Sequence, residues 1–162
     1  MTDLEGAAGP ELYQVHIVQL PVAVFRRASE QSDELLREFA LIREEGSSHI
    51  PARLLALVDE LRARFAGFST EPTAALEAAL ERDDETIDLV YSVPAATREA
   101  VIELSKLLDE ADDFCRAGEL LTLATSPEGL TFRRWFLDEF VRQIDGEPPR
   151  PWADAIGAAP HG

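Results

Sequence analysis

The chain of 162 residues has no asparagine, one lysine (Lys106), one cysteine (Cys115) and three histidines (His16, His49, His161). Each scarcity removes a class of chemistry. A Walker-type phosphate loop needs Gly-x-x-x-x-Gly-Lys-Ser/Thr, and no glycines stand at that spacing before Lys106. A serine or cysteine nucleophile needs a histidine base, and none of the three histidines sits in a context that supplies one. A lone cysteine forms no internal disulfide, and there is no thiolate cluster for zinc. No apolar run approaches the roughly 20 residues that span a bilayer. Residues Met1 to Pro10 also lack the charged-then-apolar pattern of a secretory signal. The expectation is a cytoplasmic protein with no catalytic residues, no cofactor and no metal.

Basic side chains are scarce as well: 15 Lys and Arg stand against 31 Asp and Glu, for a formal charge of −16. Nucleic-acid binding depends on neutralising phosphates with Lys and Arg, so this balance excludes DNA and RNA as expected partners. It also repels the anionic inner leaflet of a membrane. A protein partner is left, with long-range attraction aiding encounter if that partner is basic.

What is present is enough for a folded core. A hydrophobic share of 46% with 28% charged residues fits one globular domain, expected over residues 12–152. The small, acidic residues 1–11 read as a flexible arm and residues 153–162 as a flexible tail. All basic residues but Lys106 are arginine, a bias that suggests a GC-rich genome.

Tyr13, Val15 and Ile17 alternate with Gln14 and His16, which predicts a strand over 13–20 ended by Pro21. Phe25, Ala28, Leu35, Phe39 and Ile42 then fall at helical spacing up to Glu45, with Gly46 as the stop and 47–50 as a loop. Pro51 opens a second helix bearing Leu54, Leu55, Val58, Leu61 and Phe65, closed by Gly67. Ser69 or Thr70 caps a third, from about Pro72 to Arg82. A second strand is expected over Thr86–Val93, ended by Pro94, and a long helix over Ala95–Ala117. The strand–proline–helix pattern thus occurs at 13–45 and again at 86–117. Leu120–Ala124 fits a third strand or a helical turn equally well. Ser126, Pro127 and Glu128 make a cap, a first-turn proline and an acid at the positive helix end, so the last helix runs from there to about Asp145, where Gly146 ends it. Residues 147–152 are expected to be extended, with Trp152 anchoring them to the body. The fold class expected is α+β, with about five helices, mainly long amphipathic ones, and a small sheet of two or three strands. An all-α bundle is the alternative.

Asp109, Asp112 and Asp113 would share one helix side, opposite the apolar stripe Val101, Leu104, Leu108, Ala111 and Cys115. Calcium loops need alternating ligands and a central glycine, so a solvated acidic face is the expectation there. His49 beside Ser47 and Ser48 reads as an ordinary capped turn rather than an anion site. Arg133-Arg134-Trp135-Phe136 is the most suggestive segment: two arginines beside an aromatic suit recognition of an anionic group at an interface. Arg142 follows Arg134 by two turns. These four residues, Arg133, Arg134, Trp135 and Arg142, are the candidate partner-binding site. The competing reading makes Phe132, Phe136 and Phe140 core, with the arginines pairing Asp138 and Glu139.

The segments Leu20-Pro21-Val22-Ala23-Val24 and Glu34-Leu35-Leu36-Arg37-Glu38-Phe39-Ala40-Leu41-Ile42 carry a family resemblance. Leu121-Thr122-Leu123-Ala124-Thr125 and Phe132-Arg133-Arg134-Trp135-Phe136-Leu137-Asp138-Glu139-Phe140 add to it. Together they cover about half the chain and resemble uncharacterised actinobacterial proteins that occur beside anti-sigma-factor kinases, STAS-domain antagonists and PP2C-type phosphatases. The resemblance implies a role in a partner-switching signalling or stress-response circuit and supplies no site residues. Those kinases carry an asparagine-bearing helix and an Asp-x-Gly-x-Gly turn, and this chain has neither, so it is not a working kinase of that type. It also lacks an Asp-Ser-Ser/Thr-Gly loop of the STAS kind. The expected function is a non-enzymatic regulatory protein that binds another protein, with a homodimer compatible with its broad apolar helices. The alternative is a small-molecule sensor with an apolar pocket between helices and sheet, in which Arg134 would be one of the few polar groups.

Overall fold

The computed structural model describes residues 11–44, 49–118 and 120–158. The expected arm up to Pro10, the Gly46 stop with Ser47 and Ser48, and His161 lie outside them.

β1 (Leu12–Pro21) and β2 (Thr86–Pro94) pair antiparallel and make a two-stranded sheet. Among the described residues six helices accompany it: α1 (Val22–Glu44), α2 (His49–Phe65), α3 (Thr70–Glu81), α4 (Thr97–Ala117), α5 (Pro127–Ile144) and α6 (Trp152–Ala158). The protein is therefore α+β, with one helix more than the sequence predicted. The alternating residues Val15 and Ile17 of β1 are buried, as are Leu89 and Val93 of β2. The alternation then slips. Ile17 pairs with Leu89 but Leu20 pairs with Ile87, so β1 carries one extra residue. Gln19 takes up the bulge at φ 60°, and its N–H donates to Asp88 Oδ1 at 2.8 Å.

Capping at the last long helix follows the sequence closely. Ser126 is extended and its hydroxyl accepts from the Gly129 N–H at 3.1 Å. A Cβ on Gly129 would stand 3.1 Å from both Ser126 Oγ and Thr125 Cγ2, which accounts for the glycine. At the other end Gly146 has φ +98°, and the Glu147 N–H reaches back to the Arg142 carbonyl at 2.9 Å.

α1 packs on α2, α2 on α4, α4 on α5 and α5 back on α1, so four helices form a closed ring of neighbours. The sheet lies at one end, with α5 and α6 against β1 and α3 against β2. Buried residues fall into two clusters rather than one. The sheet-end cluster holds Val15, Ile17, Leu20, Leu89, Phe132, Trp135 and Phe140. The second cluster, inside the helix ring, holds Leu35, Phe39, Leu54, Leu57, Leu107, Ala111 and Cys115. Leu57 and Leu107 were not on the expected stripes. The ring closes around both helices, so each buries a wider face than one stripe.

One segment that the sequence left open is decided, and two differ from expectation. Leu120–Ala124 is a pair of tight turns, not a third strand: the Leu123 N–H donates to the Leu120 carbonyl at 2.9 Å and the Ala124 N–H to that of Leu121 at 3.2 Å. On the outer edge of β1 the Gln143 side-chain amide binds both the N–H (2.7 Å) and the carbonyl (2.8 Å) of His16. Residues 152–158 are helical, where the sequence placed the end of an extended segment at Trp152 and a flexible tail from 153, and Trp152 stacks edge-on against Phe132 at 5.9 Å and Trp135 at 5.3 Å. The acidic side of α4 is also not uniformly solvated, as the site geometry shows.

Candidate ligand-binding cleft

Of the four residues expected to meet a partner, three point inward. The Arg133 side chain is 13% exposed and lies against α4. Its Nη2 donates to Asp109 Oδ1 at 2.7 Å and stands 3.1 Å from Asp112 Oδ2, while Nη1 donates to Thr125 Oγ1 at 3.1 Å. Asp112 Oδ1 in turn accepts from the Thr125 N–H at 3.0 Å and the Thr125 hydroxyl at 2.9 Å. Asp112 is thus a buried acid, correcting the solvated face; Asp113 beside it stays in solvent. This closed loop fastens the 120–126 segment onto α4.

Trp135 is buried, and its Nε1–H donates to the Arg150 carbonyl at 2.8 Å. Arg142 donates to Glu139 Oε2 at 2.7 Å, and Glu139 is fully buried. Glu139 Oε1 also accepts from Gln143 Nε2 at 2.9 Å and from the Arg150 N–H at 2.8 Å. The carboxylate therefore joins α5 to the extended 147–151 segment, and through Gln143 to β1. Of the pairings in the competing reading only Arg142 with Glu139 forms; Arg133 turns to Asp109 and Asp112, and Asp138 is met by Arg150. Arg134 alone of the four is outward, 62% exposed and 4.0 Å from Asp109. It lines a groove of about 530 Å³ between α4, α5 and α6, together with Lys106, Arg150, Asp109 and Asp138. Cations and carboxylates are mixed there, so the groove balances much of its own charge.

A different site stands at the seam between the two core clusters. A cleft of about 440 Å³ opens among α2, β2, α4 and α5. Its walls are the rings of Phe65, Phe68, Tyr91, Phe136 and Phe140 with Val58, Leu61, Val93, Val101, Leu104 and Leu137. Tyr91 meets Phe136 at 6.0 Å and Phe140 at 5.2 Å, so the aromatic wall is itself packed. A second opening of about 260 Å³, between α1, α4 and α5, shares Arg62, Leu104, Phe136 and Leu137 with the first. Both openings take walls from both clusters, which is where two separately packed cores leave unfilled volume.

Three polar residues enter the larger cleft: Arg62, Ser69 and Thr97. Thr97, in the first turn of α4, is 6% exposed, and its hydroxyl is buried without a hydrogen-bond partner. A buried hydroxyl with nothing to bond costs about 1–3 kcal/mol, so an orphan in an apolar wall calls for a reason. Arg62 is exposed at the mouth and makes no ion pair among the described residues. None of the described residues lining this cleft is acidic. Burial raises the Tyr91 hydroxyl to about 12, so it is a neutral group near pH 7. Cys115, inside the second cluster, is raised to about 11 by burial and then by the Asp112 charge, and is not a thiolate nucleophile. Among the described residues no group of three or more His, Cys, Asp and Glu is placed to hold a metal ion. No described helix is long and apolar enough to cross a membrane.

The sequence offered an apolar pocket between helices and sheet as an alternative and named Phe65, Tyr91 and Phe136 as apolar positions, but did not place the cleft, because the gap arises from how two clusters fail to merge. No family model matches the chain, and no characterised protein or solved structure is significantly similar to it.

Proposed function

We propose that the protein is a non-enzymatic sensor that binds a small, largely apolar molecule in the cleft between α2, β2, α4 and α5. The observation that carries this reading is the aromatic-walled cleft at the seam between the two core clusters. Its volume of about 440 Å³ falls within the range of roughly 300–1,000 Å³ typical of small-molecule sites. A ligand seated there would touch both core clusters at once, and so would couple the sheet end to the helix ring. Binding to the folded state alone adds about 2.7 kcal/mol of stability at a hundredfold excess over Kd.

The test is a fluorescence titration with the neutral apolar probe N-phenyl-1-naphthylamine. At about 0.3 kcal/mol per non-hydrogen atom a probe of this size gains about 5 kcal/mol, a Kd in the high micromolar range. Saturable one-site binding is expected in the wild type and is lost in Ala100→Trp, which fills the cleft from α4 while leaving the far-ultraviolet circular dichroism unchanged. An absence of saturable binding, or equal binding by the filled variant, refutes the reading.

A further inference from the structure

The chemistry around the cleft narrows the class of ligand, and this step rests on the cleft reading just given. In a chain with a formal charge of −16, acidic side chains outnumber basic ones by 31 to 15. The described arginines are mostly engaged: Arg53 with Glu110, Arg64 with Glu60, Arg82 with Asp84, Arg98 with Asp145 and Arg133 with Asp109. Arg62 has no such partner, and it lies on both openings at the seam. The larger opening has no acidic residue among its described lining, so nothing in its walls neutralises that guanidinium. Thr97 lines the same cleft, with its hydroxyl buried away from solvent. An apolar interior, an unpaired cation at the entrance and no acid in the walls describe one kind of molecule.

We propose that the cleft binds an amphipathic organic anion, with an aromatic or branched apolar body against Phe65, Tyr91, Phe136 and Phe140 and a carboxylate paired with Arg62. The guanidinium fork suits a carboxylate, and partial covering by the ligand strengthens the pair relative to an open surface contact. A lipophilic cation meets Arg62 as a like charge and is rejected. A neutral analogue keeps the apolar contacts and loses the pair. This preference runs against the net charge of the protein, which by itself repels anions, so it isolates the local arrangement.

The experiment compares three probes with one naphthalene body by isothermal titration calorimetry at low and moderate salt: 1-naphthylacetate, 2-(1-naphthyl)ethanol and 2-(1-naphthyl)ethylammonium. Naphthylacetate is expected to bind about fivefold to tenfold more tightly than the alcohol at low salt, with the ammonium weakest and the gap narrowing as salt rises. Arg62→Gln is expected to bring naphthylacetate down to the affinity of the alcohol and to leave the alcohol unchanged. Equal binding of all three probes, a preference for the ammonium, or an unaltered acetate preference in Arg62→Gln overturns the anion inference while the cleft reading stands. Binding that survives undiminished in Ala100→Trp places the probes elsewhere and overturns both.

Discussion

Replacing Asp112 by alanine tests whether the acidic side of α4 is a solvated face or a buried joint. The carboxylate is 4% exposed and holds three donors: the Thr125 N–H at 3.0 Å, the Thr125 hydroxyl at 2.9 Å and Arg133 Nη2 at 3.1 Å. Its removal leaves the Thr125 N–H without a partner at a cost of about 1–3 kcal/mol. Removing one partner of a buried pair costs about 3–5 kcal/mol. Arg133 keeps Asp109 at 2.7 Å, so the lower end applies, and a loss of about 3 kcal/mol is expected. With a urea slope of about 2 kcal/mol/M, the unfolding midpoint falls by about 1.5 M. Asp113→Ala is the control on the same turn: that side chain is 82% exposed and 3.5 Å from Arg116, so the change stays within about 0.5 kcal/mol. A double-mutant cycle with Arg133→Met should give a coupling above about 1 kcal/mol. The reasoning fails if Asp112→Ala costs no more than Asp113→Ala, or if Arg133→Met leaves stability unchanged. The second result would return Arg133 to the surface role expected from sequence.

Other expectations follow from the same geometry. Ending the chain after Pro151 removes the Trp152 ring from Phe132 and Trp135 and should cost about 2–3 kcal/mol; an unchanged urea midpoint would make 152–158 dispensable. The Cys115 thiol, fully buried and raised to about 11, should react with Ellman's reagent at pH 8 only after denaturant is added; rapid native labelling would contradict its burial. The Tyr91 hydroxyl, raised from 10.0 to about 12 in the fold, is held protonated more strongly folded than unfolded. Its contribution, at most about 2–3 kcal/mol, is therefore complete below pH 10 and lost as the pH climbs toward 12, a loss that Tyr91→Phe abolishes. Urea midpoints across that window for wild type and Tyr91→Phe read the difference directly.

Much of the local structure was legible because local chemistry carries it. Val15 and Ile17 alternate as a half-buried strand must, Ser126 with Pro127 marks a helix start, and Gly146 supplies the left-handed residue that ends it. The bulge at Gln19 was not legible, since an extra residue in one strand is defined only against its partner. Arg133, Trp135 and Arg142 looked like an interface for a related reason. Arginine beside tryptophan has the same composition whether it faces a foreign surface or a neighbouring helix, and here the donors are met by Asp109, Asp112, Glu139 and the Arg150 carbonyl.

The sequence by itself determined the α+β class, the placement of two strands and five long or medium helices, and the acidic balance that disfavours nucleic acid, because periodicity, caps and charge are properties of neighbouring residues. Tertiary structure decided which carboxylates are buried, that Leu120–Ala124 turns instead of pairing, and that a short helix follows Trp152. It also decided the cleft. Two apolar clusters, each well packed on its own helices, meet imperfectly along Leu104 and Phe136, and a gap between packed bodies is a property of their arrangement in space.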